Sequence, residues 1–368
     1  MEPEVVKLFK TLLSFKSITP DDGGAFHYLK EYLRGEGEII EIEKEGVKNL
    51  LVIKEKGKGD HLTLAGHIDV VPPGKGWKTD PFVPVEREGY IYGRGAQDMK
   101  SGLAGLIYAF KHGDWKRGTL SLMITSDEEG EAKYGTLEIL KMMKREGILP
   151  NFGVVAEPTC ETQFGDTIKI GRRGSINGVL KIKGVQGHVA YPERCVNPVE
   201  LIAPLMGAFV GRNLDNGDRH FSPSKLVVTD IRGGMEVTNV TPDEVKIMFN
   251  VRNGLSTTRE DIEQFFRQLL RNISYELHLH QSAHPFKTSQ FSKIVKHLSR
   301  EVEKITGITP NFSTSGGTSD ARFLAEFGVE VAEFGVINDR AHKIDERTSV
   351  TEVTQIGEIF KSLIDNWD

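Results

Sequence analysis

The sequence predicts an α/β protein, with a mostly parallel sheet covered by helices on both faces and an inserted α+β domain. Three observations support this prediction. Strand-like and helical runs alternate in the first half of the chain, the alternation stops after Arg173, and it resumes after about Phe286. Such alternation is typical of parallel sheets with helices on both faces. At 368 residues the chain is also longer than one compact core usually supports.

Helices are predicted from apolar residues at helical spacing, and strands from short apolar runs between turn-forming residues. In the first half, helices are predicted at 5–13, 26–33, 101–110 and 136–145, and strands at 38–43, 49–54, 62–66, 119–125 and 152–156. In the insertion, strands are predicted at 176–183, 225–231, 244–252 and 275–280, and helices at 198–210 and 259–272. The last part has predicted helices at 291–306, 320–327 and from 351, with strands near 312 and at 330–334.

These patterns divide the chain into two domains. Residues 1–173 and 286–368 are predicted to form the α/β domain, and residues 174–285 the inserted domain. The inserted domain is expected to be an antiparallel sheet with two helices on one face.

Composition excludes several classes of protein. The net charge is -5, and Lys and Arg are dispersed, whereas nucleic-acid binding needs clustered positive charge. The acidic N-terminal segment does not resemble a signal peptide, and no apolar run is long enough to span a membrane. The two cysteines, Cys160 and Cys195, cannot form a disulfide framework and fit a reducing compartment. We therefore expect a cytoplasmic protein that binds neither nucleic acid nor membrane, with Cys160 as a small buried thiol.

The segment Gly66–Pro72 follows a predicted strand and contains His67 and Asp69. Alternation along an extended chain places these two side chains on the same side. A carboxylate in that position can accept the second imidazole N–H and so fix which nitrogen faces a metal. Taken alone, however, a histidine at a strand end is usually an ordinary polar residue.

The segment Gly93–Gly102 begins like a dinucleotide-binding fingerprint, but Asp98 stands where the third glycine should be. The dinucleotide hypothesis therefore fails. The glycines instead allow the backbone to fold tightly around Asp98 before the next helix. The alternative is that Asp98 only helps to cap that helix.

Three more strand ends carry acidic or histidine side chains. Ser126–Gly130 contains Glu128 and Glu129, and adjacent carboxylates of this kind repel unless cations or separate tasks keep them apart. An acidic surface turn is the alternative for that segment. Glu157 follows the apolar run ending at residue 156, and His342 lies in the segment 338–346.

Together these segments predict a site for two metal ions, because ligands in α/β proteins bind beyond the carboxyl ends of the strands. Two histidines and three carboxylates suit zinc, cobalt or manganese. Two such ions need a bridging carboxylate, for which Asp98 is the candidate, and the Glu128–Glu129 pair can supply a general base beside an activated water. The predicted ligands are His67, Asp98, Glu129, Glu157 and His342.

A second group of histidines, His278, His280 and His284, lies in the inserted domain. The first two alternate along a predicted strand, and no acidic segment accompanies them. We interpret them as solvent-facing.

With these motifs the chain resembles the M20 metallopeptidases over nearly its whole length. The resemblance implies that His67 and Glu157 complete one metal site, that Glu129 and His342 complete the other, and that Asp98 bridges them. It also implies that Glu128 is the base, that Asp69 is the partner of His67, and that the peptide bond after Asp98 is cis. The matching segments are GHIDVVP, GRGAQDMKSG, SDEEG, AEP, GRRGS, GHVAYP, SGGTSDARF and residues 338–346.

Within this family, the motifs imply hydrolysis of N-succinyl-LL-2,6-diaminopimelate to LL-2,6-diaminopimelate and succinate, a step towards lysine and cell-wall precursors. Another M20 amidase, such as an acetylornithine deacetylase or a dipeptidase, is the alternative, and a non-catalytic binding domain is a third hypothesis. A guanidinium such as Arg172 or Arg252 can hold a succinyl carboxylate in a bidentate way. Arg252 could equally be an ordinary surface residue. The implied substrate contacts are Arg172, Ser175, Tyr191, Asn239, Arg252, Thr318 and Asn338.

The resemblance also implies that the inserted domain forms a homodimer. His188, in the segment Gly187–Pro192, has no carboxylate two residues later and is therefore not expected to bind metal. We expect it to donate a hydrogen bond to the scissile carbonyl of a substrate bound in the partner subunit and to stabilise the oxyanion. An ordinary surface histidine is the alternative.

Overall fold

The structure is a computed structural model that describes residues 2–368, and it divides into two compact units. The first unit consists of the chain up to Gly171 together with Lys287–Ser313 and Ser319–Asp368. The second consists of Arg172–Phe286 and Thr314–Thr318. The segment Thr314–Thr318, which the sequence pattern assigned to the α/β domain, thus belongs to the second unit. No helix among residues 2–368 has both the length and the apolar character needed to cross a membrane.

The first stretch of chain alternates strands and helices. Its helices are α1 (Glu4–Ser14), α2 (Ala25–Tyr32), α3 (Lys100–His112) and α4 (Thr136–Arg145). Its strands are β1 (Glu38–Lys44), β2 (Val47–Lys56), β3 (His61–His67), β4 (Val85–Arg87), β5 (Tyr90–Tyr92), β6 (Gly118–Thr125), β7 (Phe152–Val155), β8 (Thr167–Lys169) and β9 (Gly171–Arg172).

The middle and last stretches follow. The middle has strands β10 (Ser175–Lys183), β11 (Gly187–His188), β12 (Lys225–Gly233), β13 (Val240–Thr241), β14 (Glu244–Arg252), β15 (Tyr275–Ala283) and β16 (Phe286–Lys287), and helices α5 (Pro198–Ile202), α6 (Met206–Phe209) and α7 (Arg259–Leu269). The last has helices α8 (Lys293–Thr306), α9 (Ala321–Glu326) and α10 (Val350–Asp365), and strands β17 (Asn311–Ser313), β18 (Glu330–Glu333) and β19 (Arg347–Ser349).

The first unit is built on an eight-stranded sheet in the order β1-β2-β6-β3-β7-β18-β8-β17. Its centre, β6-β3-β7-β18, is parallel throughout, whereas β1, β2 and β6 pair antiparallel at one side. β3 is buried along its whole length, although it includes His61, Thr63 and His67, as expected for a central strand of a sheet covered on both faces. The predicted α/β class and the predominantly parallel sheet are confirmed.

The second unit contains a four-stranded antiparallel sheet in the order β12-β14-β10-β15. In β14, buried and half-buried residues alternate over 244–251, as expected for a sheet with one face in a core. That core includes Phe249 and Leu180 from the sheet and Phe266 from α7. The antiparallel sheet and its helices agree with the predicted α+β pattern.

The helix predicted at 198–210 is wrong as a single helix. The chain forms α5, a short 3₁₀ turn over Ala203–Leu205, and then α6. Pro204 lies in that turn, and a proline within a helix removes an N–H donor and clashes with the preceding turn.

Candidate metal centre

Four neighbouring parallel strands end at the candidate site. His67 is the last residue of β3, and Glu128 and Glu129 follow β6, which ends at Thr125. Glu157 comes two residues after β7, and the chain beyond β18 leads to His342. Because these strands are adjacent and point the same way, their carboxyl ends bring the side chains to one edge of the sheet.

Asp98 lies between the two histidines. His67 Nε2 is 3.3 Å from Asp98 Oδ1, and His342 Nε2 is 3.3 Å from Asp98 Oδ2. The two carboxylate oxygens therefore face different imidazoles, as a bridging ligand requires. The peptide bond between Asp98 and Met99 is cis, which confirms the geometry that the family resemblance implied.

Each histidine also faces a second carboxylate. His67 Nε2 lies 3.7 Å from Glu157 Oε1, and His342 Nε2 lies 2.9 Å from Glu129 Oε1. Metal–ligand bonds of about 2.0–2.2 Å in a tetrahedral site place neighbouring ligand atoms about 3.3–3.6 Å apart. The observed separations are close to this range. By their shortest distances, His67 pairs with Glu157 and His342 with Glu129 on either side of Asp98, and ligand atoms of His67, Asp98 and Glu129 also lie within 4.8 Å of one another.

The charges around the two histidines favour a bound cation. Burial alone would lower the pKa of His67, but the carboxylates of Asp98, Asp69, Glu128 and Glu157 raise it well above its usual value. Hydrogen bonds to Asp98 and Glu129 raise the pKa of His342 to about 10. The same carboxylates would stabilise divalent cations, so the nitrogen and oxygen donors fit a pair of metal ions.

Asp69 contacts both His67 and the acidic turn after β6. The nearest acceptor of His67 Nδ1 is the backbone carbonyl of Asp69 at 2.9 Å, while the nearest carboxylate oxygen lies 3.6 Å away. The Asp69 carboxylate accepts the backbone N–H of Glu129 at 3.0 Å and, more weakly, that of Glu128 at 3.4 Å. Residue 69 therefore fixes the His67 ring through its backbone and the acidic turn through its side chain. Its burial raises its pKa to about 6.

Glu128 is close to the group formed by His67 and Glu157. One ligand atom from each of these three residues lies within 4.8 Å of the other two. Burial and the nearby Glu157 carboxylate raise the pKa of Glu128 well above its usual value. A carboxyl group with a raised pKa, held beside candidate metal ligands, has the properties of a proton acceptor and donor.

Glu346 organises the loop before Asp98, a role that sequence reasoning missed. Its buried carboxylate accepts the backbone N–H groups of Gly95, Gln97 and Asp98 at 3.0, 2.8 and 3.1 Å. It also pairs with the buried Arg94 at 2.7 Å. An acidic residue at the end of the His342 segment could have suggested a partner for the glycine-rich loop, but only the fold brings the two together.

Two glycines allow the Glu157 segment to approach its neighbours. A Cβ at Gly102 would lie 2.1 Å from the backbone oxygen of Ala156, and one at Gly335 would lie 2.2 Å from that of Glu157. Any side chain at either position would displace the segment that follows β7. The glycines therefore help to set the position of Glu157.

The predicted substrate residues lie mainly in the second unit. The Arg172 guanidinium donates to the Gly317 carbonyl at 3.3 Å, in the loop that also contains Thr318. Ser175 is buried, and its hydroxyl accepts a hydrogen bond from Asn250 at 3.0 Å. Arg252, at the end of β14, is exposed.

His188, Tyr191 and Asn239 are close together in the second unit. β11, which contains His188, pairs with β13, and the Asn239 carbonyl accepts the Val189 N–H at 3.2 Å. The rings of His188 and Tyr191 are 5.9 Å apart, and Tyr191 is half-exposed. Asn338, by contrast, belongs to the first unit, where its side chain donates to the Pro158 carbonyl at 3.3 Å.

Comparison with known proteins identifies the family. Residues 63–366 match the model of peptidase family M20/M25/M40. A curated relative from Nautilia profundicola, named succinyl-diaminopimelate desuccinylase, is 57% identical over 99% of this chain and 100% of its own length. One with the same name from Sulfurimonas denitrificans is 54% identical over the same shares. The crystal structure of aminopeptidase PepT from Bacillus cereus, 23% identical, aligns with a TM-score of 0.80 over 98% of this chain and 97% of its own. The chain belongs to peptidase family M20/M25/M40.

Proposed function

We propose that this protein hydrolyses N-succinyl-LL-2,6-diaminopimelate to LL-2,6-diaminopimelate and succinate. The observation that carries the proposal is full-length identity of 57% and 54% with relatives that bear the name of this activity. The clustered side chains of the first unit are consistent with it, because amide hydrolysis needs an activated water and a proton carrier.

We propose that His67, Asp98 and Glu157 hold one metal ion and that His342, Asp98 and Glu129 hold the other. The separations of their donor atoms support this division. Zn²⁺ is the proposed metal, with Co²⁺ or Mn²⁺ as alternatives, since all three accept imidazole and carboxylate donors. Bound metal ions would supply Lewis acidity, which lowers the pKa of water and polarises an amide carbonyl.

The remaining side chains would move protons and orient the substrate. Glu128 takes a proton from the attacking water and returns it to the leaving amine. Asp69 keeps Glu128 and Glu129 in place through their backbone N–H groups. Proposed partners of the substrate, chiefly of its carboxylate groups, are Arg172, Ser175, Tyr191, Asn239, Arg252, Thr318 and Asn338.

We further propose that the protein acts in the cytoplasm as a homodimer formed by the second unit. Both cysteines are free, which fits a reducing compartment. β12 is an edge strand on which the apolar residues Val227 and Ile231 are 49% and 51% exposed. Exposed apolar residues on an edge strand favour pairing with a second copy.

The decisive experiment compares kcat/KM of the metal-loaded protein for N-succinyl-LL-2,6-diaminopimelate, N-acetylornithine and a dipeptide. We expect the succinylated substrate to be preferred by roughly 10²-fold or more, because buried polar groups built for its carboxylate would be left unpaired by the others. A preference for either competitor would contradict the proposed substrate, but the protein would still be an amide hydrolase. Absence of turnover with all three, in protein that contains metal, would contradict the proposal itself.

A further inference from the structure

A cavity of about 140 Å³ lies in the first unit, on a small three-stranded sheet that the proposed reaction does not use. This sheet has the order β19-β5-β4. The cavity also touches the loop after Gly76 and the segment that follows Asn338. Its lining residues are Lys78, Thr79, Val85, Arg87, Tyr92, Arg340, Asp345 and Arg347.

The sheet directs two arginines and a tyrosine to the same side. Arg347 and Val85 are both directly opposite Tyr92, so these three side chains share a face. Arg87, two residues after Val85 on β4, lies on that face too. Glu86 projects from the opposite face and pairs there with Lys10 at 2.7 Å. One face of the sheet is therefore basic where it lines the cavity.

The positive charge around the cavity is only partly neutralised. Four cationic side chains line it, against the single carboxylate of Asp345, which accepts the Lys78 backbone N–H at 3.0 Å. Among residues 2–368, Lys78, Arg87 and Arg347 make no ion pair, and the nearest carboxylate oxygen to Arg340 is that of Asp339 at 4.0 Å. The Asp339 carboxylate also interacts electrostatically with Arg347. Cations that outnumber the nearby carboxylates favour the binding of an anion.

Two hydroxyl groups add hydrogen-bonding capacity. The Thr79 hydroxyl is buried and has no hydrogen-bond partner in the described part of the chain. The Tyr92 hydroxyl accepts a hydrogen bond from Arg347 Nη1 at 2.7 Å and retains its own proton for donation. That contact, together with the packing of the Arg347 guanidinium over the Tyr90 ring at 4.2 Å, holds Arg347 in position.

We propose that this cavity binds a phosphate dianion. Guanidinium groups donate in a planar fork that matches phosphate oxygens, and the hydroxyls of Thr79 and Tyr92 can donate to the others. A volume of about 140 Å³ suits a ligand of a few heavy atoms, since a water molecule takes about 30 Å³. The phosphate can be inorganic phosphate or the phosphoryl group of a small metabolite, and the same residues would recognise both.

Calorimetric titration of the metal-loaded protein with inorganic phosphate at constant ionic strength tests this site. We expect one phosphate per chain, and we expect Arg87→Gln and Arg347→Gln each to weaken the Kd by roughly tenfold or more through loss of a charge-assisted hydrogen bond. Arg87 is exposed at the edge of the sheet, so Arg87→Gln keeps the test valid if Arg347→Gln folds poorly. Lys10→Ala is the matched control, because it removes one positive charge on the opposite face of β4 and should leave the Kd unchanged.

A second titration with glycerol 3-phosphate distinguishes the two sources. Binding at least as tight as that of inorganic phosphate identifies a phosphoryl metabolite as the ligand, and much weaker binding identifies free phosphate. Three outcomes would overturn the proposal. They are no saturable phosphate binding, equal weakening by Lys10→Ala, and binding that disappears on metal removal yet is unaffected by Arg87→Gln and Arg347→Gln, which would place phosphate at the metal centre.

Discussion

At the scale of single residues, the acidic turn after β6 depends on one buried side chain. The Asp69 carboxylate accepts the backbone N–H groups of Glu128 and Glu129, so it positions both the proposed base and a proposed ligand. The sequence placed His67 and Asp69 on one side of an extended segment. It could not show which oxygen of Asp69 faces the imidazole, because that depends on side-chain rotamers set by packing around a fully buried group.

The proposed base can be separated from the ligands by mutation. We expect Glu128→Ala to lower kcat by roughly 10²–10⁴-fold, because proton transfer is lost, while metal content stays near that of the wild type. Metal analysis and turnover of the same sample measure both effects. Glu131→Ala, which removes an exposed carboxylate from the same turn, should change neither. Loss of a metal ion in Glu128→Ala would show that Glu128 is a ligand.

His61 should make stability depend on pH independently of the metal centre. Its ring lies at the start of β3, 2.8 Å from the Ser121 hydroxyl, and burial lowers its pKa to about 4. The unfolded chain, with a histidine pKa of about 6.5, then binds more protons than the folded chain between these two values. We therefore expect His61 to leave stability unaffected above about pH 6.5 and to reduce it by about 3 kcal/mol as the pH falls to about 4.

Urea unfolding of the wild type and of His61→Gln across this pH range measures the effect. The variant should lose that part of the pH dependence, because glutamine does not titrate. His27→Gln, at an exposed position on α2, is the control and should retain the wild-type profile. Parallel profiles for wild type and His61→Gln would refute the assignment.

At the scale of elements, long periodic segments could be predicted and short ones could not. The strand predicted at 244–252 matches β14 to the residue, because apolar residues occupy every second position from Val245 to Val251. The strands β4, β5 and β19 were missed because each has three residues, which are too few to show an alternation of apolar and polar side chains. Their sheet joins segments that are more than 250 residues apart in sequence, such as Arg347 and Tyr92. It therefore depends on the tertiary fold.

Glu346 connects such a short strand to the proposed ligands. It directly precedes β19 and holds the loop ending at Asp98. We expect Glu346→Ala to destabilise the protein by about 3–5 kcal/mol, because the buried Arg94 would lose its counter-ion. We also expect reduced metal content, since the backbone N–H of Asp98 would lose the hydrogen bond to Glu346 that holds it in place.

Chemical unfolding and metal analysis test these two effects together. Glu358→Ala, which removes an exposed carboxylate from α10, serves as the control and should change neither quantity. A destabilised Glu346→Ala protein with full metal content would mean that Arg94 and Glu346 only support the fold. A stable variant with normal metal content would contradict both expectations.

At the scale of the whole molecule, the proposed catalytic residues are divided between the two units of the chain. All the proposed metal ligands and Glu128 belong to the first unit, whereas His188 belongs to the second. His188 is exposed, and its Nδ1 accepts the Ala190 N–H at 3.1 Å. This bond leaves Nε2 as the proton-bearing nitrogen, available to donate to a substrate carbonyl.

If His188 donates this hydrogen bond to substrate bound in the partner subunit, two inactive variants should regain activity when they are mixed. Donation within one chain does not predict this recovery. We expect Glu128→Ala and His188→Ala each to be nearly inactive alone. His188→Ala should lower kcat by roughly 10²–10³-fold, because an oxyanion donor is lost. In a mixed dimer, the protomer carrying His188→Ala keeps Glu128 and receives His188 from its partner, so one site is complete. Equal mixing with free subunit exchange should therefore restore about a quarter of wild-type activity, because half of the dimers are mixed and each has one working site. Size-exclusion chromatography with differently tagged chains checks that exchange has occurred. Exchange without recovered activity would assign His188 to its own subunit or to no catalytic role.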